Sequence, residues 1–153
     1  MPTYSTSAMD VARHLLAIEA EEPDQSDALA AAMERIHVKL REKLAVLIGQ
    51  EGFAALFSRA LHVSRRDMPG LGKIVVSAQS SSELQGTREF VEANADDLNA
   101  VIEGFSAIVG RFIGLLTTFI GDELSMQLLI DVWPELAQSD AARLSGDGDT
   151  PNE

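Results

Sequence analysis

Glu34-x-x-His37 sets a carboxylate and an imidazole three residues apart, the spacing that puts two metal ligands on one helix face in di-iron bundles. Such a centre needs the motif twice, with further carboxylates from facing helices, and no second copy is present. The pair therefore predicts a solvated helix face and no metal. His14 and His62 stand alone and read as exposed or core-edge side chains. Gly70-Leu71-Gly72-Lys73 offers a flexible backbone and a cation, as a phosphate loop does. The spacer between the glycines is missing, no Ser or Thr follows Lys73 and no strand precedes it, so a plain turn is expected. Serines lack the Gly-x-Ser-x-Gly context that exposes a nucleophile, and with no cysteine there is neither a thiolate nucleophile nor a thiolate metal site. Catalytic, cofactor-binding and metal-ligating residues are accordingly none, and an enzyme is not expected. Asp96-Asp97 and Asp122-Glu123 fall at helix starts, where free backbone N–H groups favour negative charge, and read as caps.

Charge is the feature left over. The formal net charge of −12 argues against a nucleic-acid partner, since phosphate binding requires clustered Lys and Arg. Yet residues 35–73 hold eight basic and three acidic side chains, between an N-terminal stretch with one basic and seven acidic and a C-terminal stretch with three and fourteen. Arg35, Lys39 and Lys43 recur every four residues, and Arg59, Arg65, Arg66 and Lys73 follow. A helical hairpin would bring several of them into one patch able to attract an acidic protein. The competing reading is a solvated surface paired with the chain's own acids. Trp133, the only tryptophan, ends an amphipathic stretch just before Pro134. It is expected to lock that helix to the core, with an exposed partner anchor as the alternative. The expected partner-binding set is Arg35, Lys39, Lys43, Arg59, Arg65, Arg66 and Trp133.

Hydrophobic periodicity supplies the elements. Ser7 is read as the cap of a first helix carrying Val11, Leu15 and Ile18, with a loosely docked arm over residues 1–23 as the alternative. After Pro23, Leu29, Met33, Ile36, Leu40, Leu44, Leu47 and Ile48 share one face of a second helix that Gly49 stops. A third covers 52–66, then a turn at 68–72. The β-branched run at 73–77 is read as extended, because no second strand is evident to pair with it. The longest element spans 88–120 with an interruption near 94–97, and its stripe from Leu98 through Val101, Phe105, Ile108, Phe112 and Leu116 to Phe119 predicts a central helix. Gly110, Gly114, Thr118 and Gly121 line a second, small face that admits a neighbouring backbone or forms a homodimer seam. A terminal helix runs 123–133, and residues 138–153 have nothing to bury and read as a disordered acidic tail.

The apolar window 105–121 contains Gly110-x-x-x-Gly114, but Arg111 sits inside it and neither flank is strongly basic, so a buried helix is expected rather than a membrane span. The N-terminus has no basic region followed by an apolar run, and cysteine is absent, which together point to the cytoplasm. Leu115-Leu116-Thr117-Thr118-Phe119-Ile120-Gly121-Asp122-Glu123-Leu124, with Leu128-Leu129 and Trp133-Pro134, resembles a pattern in short, uncharacterised bacterial helical proteins. Phe53-x-x-Leu56-Phe57-x-Arg59-Ala60-Leu61 is similar to them too, and the resemblance implies no activity. The sequence thus predicts an all-α, single-domain bundle of four or five helices, with the bundle proper at 24–137. Its expected role is a non-enzymatic protein-interaction or regulatory module, self-associating in one version. The alternative is a sensor holding an apolar ligand near Phe105, Phe112 and Phe119.

Overall fold

The computed structural model describes residues 3–20, 26–76 and 84–136. Among these residues it is an all-α bundle of five helices: α1 Thr3–Glu19, α2 Ser26–Asp67, α3 Thr87–Ala93, α4 Leu98–Ile120 and α5 Asp122–Val132. The tail expected at 138–153 lies outside the described residues. α2 is two arms joined at Gly49, whose φ of 82° and ψ of 159° are not helical, so the predicted glycine stop acts as a corner rather than an end. Gly121, between α4 and α5, repeats that geometry at φ 96° and ψ 159°. Both need positive φ, which side chains with a Cβ resist.

α4 is the axis, as its stripe predicts. Val101, Phe105, Ile108, Val109, Phe112 and Leu116 are fully buried. α1 runs antiparallel to it, with Met9 against Gly110 and Arg13 paired to Glu103 at 3.1 Å. The second arm of α2 covers another side, where Phe53 and Phe57 each sit 5.5 Å from the Phe112 ring. By length and composition α4 would suit a membrane span, but 56% of its apolar window is buried within the fold, and Arg111 pairs with Asp67 of α2. The stripe ends one turn early: Leu116 is fully buried and Phe119 is 66% exposed.

Three other expectations change. α1 is no loose arm, since Ala12, Leu15 and Leu16 belong to the core, and it begins at Thr3, which puts Ser7 inside the helix rather than at its cap. Residues 68–74 are more ordered than a plain turn: Pro69–Lys73 form a 3₁₀ turn that drives Leu71 into the core. The extended run does pair, as β1 Val75–Val76 with β2 Leu84–Gln85, antiparallel, Val75 opposite Gln85 and Val76 opposite Leu84. The partner is only two residues long, too short for any alternation to announce it. The break before α4 falls where expected, and the Asp97 carboxylate caps it by accepting the Ala100 N–H at 3.3 Å.

The glycines of α4 differ in what surrounds them. A Cβ at Gly104 would meet Phe90 Cζ at 2.9 Å and Leu71 Cδ2 at 3.1 Å, whereas one at Gly114 would meet nothing within 4 Å. Gly104→Ala should therefore lower unfolding free energy by about 1–3 kcal/mol. Gly114→Ala should raise it by up to about 1 kcal/mol through helix propensity. Urea denaturation of the two variants beside the native chain reads both signs.

Candidate docking interface

The seven residues expected to bind a partner divide sharply by what the fold does with them. Arg35, Lys39 and Trp133 converge on Glu19, the last residue of α1, which is buried at 7% exposure. Arg35 Nε donates to Glu19 Oε1 at 3.1 Å, its NH2 group donates to the Glu19 carbonyl, and Lys39 Nζ donates to Oε2. The Trp133 indole N–H also donates to Oε2, at 2.7 Å, and the Lys39 ammonium lies 6.0 Å from the indole centroid. Lys43 pairs with Asp131 at 3.4 Å. Arg65 reaches back to the Ile74 carbonyl at 2.7 Å and secures the start of β1. Trp133 is 1% exposed, so the lock reading holds and the exposed-anchor alternative is ruled out by burial.

Only Arg59 and Arg66 remain. Both are exposed, seven residues apart on the second arm of α2, with exposed His62 between them on the same face and exposed Lys73 in the turn that follows. No ion pair among the described residues involves them, and the acid beside Arg66, Asp67, is engaged by Arg111.

Sequence reasoning missed Glu19 because it opens an acidic run that reads as solvated. A signal was present: Ala12, Leu15, Leu16 and Glu19 keep the three-and-four spacing, so the carboxylate lies on the apolar face of α1. Burial by itself would raise its pKa. The hydrogen bonds from Lys39, Trp133 and Arg35 outweigh that and hold it below the ordinary carboxylate value. A cleft of about 350 Å³ opens beside the cluster, lined by Ile18, Glu19, Ala28, Ala31 and Arg35.

The Glu34 and His37 pair does not share an environment. Glu34 accepts the Thr87 hydroxyl at 2.5 Å and lies 4.0 Å from Arg88, while His37 is 1% exposed rather than solvated. Its ring sits edge-on to Phe57 at 4.7 Å and tilted to Phe53 at 5.4 Å, and its Nε2 has no hydrogen-bond partner. Burial first, and the charge of Arg41 second, lower its pKa from 6.5 to about 4. Among the described residues no group of His, Asp and Glu side chains is arranged to hold a metal ion. Nor do Phe105, Phe112 and Phe119 line one ligand cavity. Phe105 packs toward Phe90 at 5.6 Å, Phe112 toward Phe53 and Phe57, and Phe119 faces solvent. Comparison with known proteins returned no matching family model, no matching curated protein and no matching solved structure.

The Glu19 cluster predicts an asymmetry. Arg35→Ala with Lys39→Ala strands a buried carboxylate with one indole donor and should cost roughly 3–5 kcal/mol. Glu19→Gln should cost less, about 1–2 kcal/mol, because the half-exposed cations return to water and the amide oxygen still accepts from Trp133. Equal losses in urea denaturation would refute the asymmetry.

His37 predicts an acid sensitivity. Between pH 6.5 and about 4 the unfolded chain takes up a proton that the folded imidazole refuses. Stability is then complete above pH 6.5, falls as pH drops through that window, and is lower by roughly 3 kcal/mol at its foot. Urea midpoints of the native chain and His37→Phe, measured from pH 7 to pH 4, should diverge, with the variant retaining the smaller slope.

Proposed function

We propose that the chain is a non-enzymatic interaction module of the cytoplasm that docks an acidic protein through the second arm of α2. The carrying observation is that Arg59 and Arg66 are, among the described residues, the two members of the basic set engaged by neither an ion pair nor a side-chain hydrogen bond, and that they share one exposed helix face with His62. Cations held in internal ion pairs have little field left for a partner, whereas an exposed, unopposed pair steers association and sets its register. The acidic balance of the whole chain favours a protein over nucleic acid as that partner, since polyanionic phosphate would be repelled by most of the surface.

This reading narrows the hairpin patch expected from sequence. Arg35, Lys39 and Lys43 belong to the bundle's own cohesion, so reversing their charge would test folding and docking at once. Arg59→Glu with Arg66→Glu separates the two. With a partner identified by in-cell cross-linking and then purified, the double variant should bind at least tenfold more weakly, about 1.4 kcal/mol, at unchanged helicity by circular dichroism. Native affinity should also fall as salt rises. Unchanged affinity in the double variant removes the second arm of α2 as the docking face.

A further inference from the structure

The two glycine corners lie at the same end of the bundle. Lys39 sits at Trp133 and Lys43 four residues on pairs with Asp131 two residues back, so the first arm of α2 and α5 run antiparallel. The second arm of α2 also runs antiparallel to α4, with Phe53 and Phe57 at Phe112 and the following Leu71 at Gly104, so Gly49, one turn before Phe53, is level with the end of α4, and Val46 and Leu47 directly precede it. Phe119 and Leu124 flank Gly121 at that same end. All four are exposed: Val46 at 89%, Phe119 at 66%, Leu47 at 49% and Leu124 at 43%. Four of the five large apolar side chains left in water among the described residues thus gather at the corners, and Val75 is the fifth. Scattered apolar exposure is ordinary, but a collection at one end of a bundle marks a contact surface.

The charges around this end define what fits it. Residues 42–51 and 119–124 contain Glu42, Glu51, Asp122 and Glu123, all exposed, against one cation, Lys43, which Asp131 holds. An apolar centre with a carboxylate rim is complementary to apolar side chains flanked by Lys or Arg. A second copy seated symmetrically would set two acidic rims against each other, and anionic lipid headgroups would meet the same repulsion.

We propose that the Gly49 and Gly121 corners form a docking surface for a basic, amphipathic segment of another protein, bound through Val46, Leu47, Phe119 and Leu124 inside the ring of acids. The surface is distinct from the Arg59 and Arg66 face, and neither proposal depends on the other. The binding mode is that of an amphipathic helix laid on an apolar surface, with its cations over the rim.

The probe is a fluorescent 18-residue peptide with leucines at helical three-and-four spacing and lysines elsewhere, and its counterpart with glutamate in place of lysine, titrated with the full chain. The lysine peptide should bind and the glutamate peptide should bind at least tenfold more weakly. Val46→Ser with Phe119→Ser should weaken lysine-peptide binding at least tenfold, as should Glu51→Gln with Glu123→Gln. Glu92→Gln with Asp96→Asn, which removes the same charge near the other end of α4, should change it less than twofold. Equal weakening by both neutralised pairs would mean general attraction to an acidic protein and would overturn the proposal. So would native affinity in the serine variant. A light-scattering mass that doubles with concentration and returns to monomer in the serine variant would assign the surface to a second copy instead. Sedimentation with phosphatidylcholine vesicles that the serine variant abolishes would assign it to lipid, and either result defeats the proposal.

Discussion

A carboxylate can be taken out of water only where its oxygens are fully occupied, and at Glu19 this condition ties together parts of the chain that are far apart in sequence. Its oxygens receive Arg35 and Lys39 from α2 and the indole N–H of Trp133 from the end of α5. Each donor comes from a different turn or element, so the end of α1, the first arm of α2 and the C-terminal end of α5 must all be in place for the charge to be satisfied. Apolar packing against α4 tolerates small shifts of each helix. A buried charge does not, because a donor displaced by an ångström leaves a lone pair facing low dielectric. The cluster therefore sets register, and the hydrophobic stripe supplies most of the cohesion.

That division of labour explains why the bundle needs both kinds of contact around α4. α1 approaches closely because Gly110 leaves room for Met9, and the turn after α2 and α3 approach because Gly104 leaves room for Leu71 and Phe90 respectively. These close approaches are short-range and steric. On the second arm of α2 the contact is broad instead, with Phe53, Phe57, Phe112 and His37 meeting as four rings. Placing an imidazole there with its Nε2 unpartnered trades acid tolerance for aromatic contact between the two arms of one helix.

Much of the architecture was legible because it rests on periodicity. The α4 stripe, the Gly49 stop, the break near residues 94–97 and the Asp97 cap each follow from local spacing and from residues with one dominant conformational habit. What stayed hidden depended on distant partners. Nothing near Leu84 and Gln85 marks a strand, since two residues acquire that state only from Val75 and Val76. The basic stripe admits both readings, a docking patch or a surface paired with the chain's own acids, because sequence gives the spacing of cations but not which acids fold against them. Glu19 and Asp131 decide that, and they are contributed from before and well after the stripe. His37 was read as solvated because Glu34, three residues away, is polar. The helix in fact turns its ring toward Phe53 and Phe57, and only the corner at Gly49 brings those there.

Trp133 is the sole tryptophan, buried, with its N–H on Glu19 and an ammonium near its face. Its emission is consequently a single-site optical gauge of one junction, where α1, α2 and α5 meet. Separation of that junction would register as a spectral shift even with α4 still wrapped, while fraying of the short β1 and β2 pair would pass unseen in the same signal. Light emitted by this one ring thus gives the bundle a local order parameter and divides its loosening into a visible and a dark part.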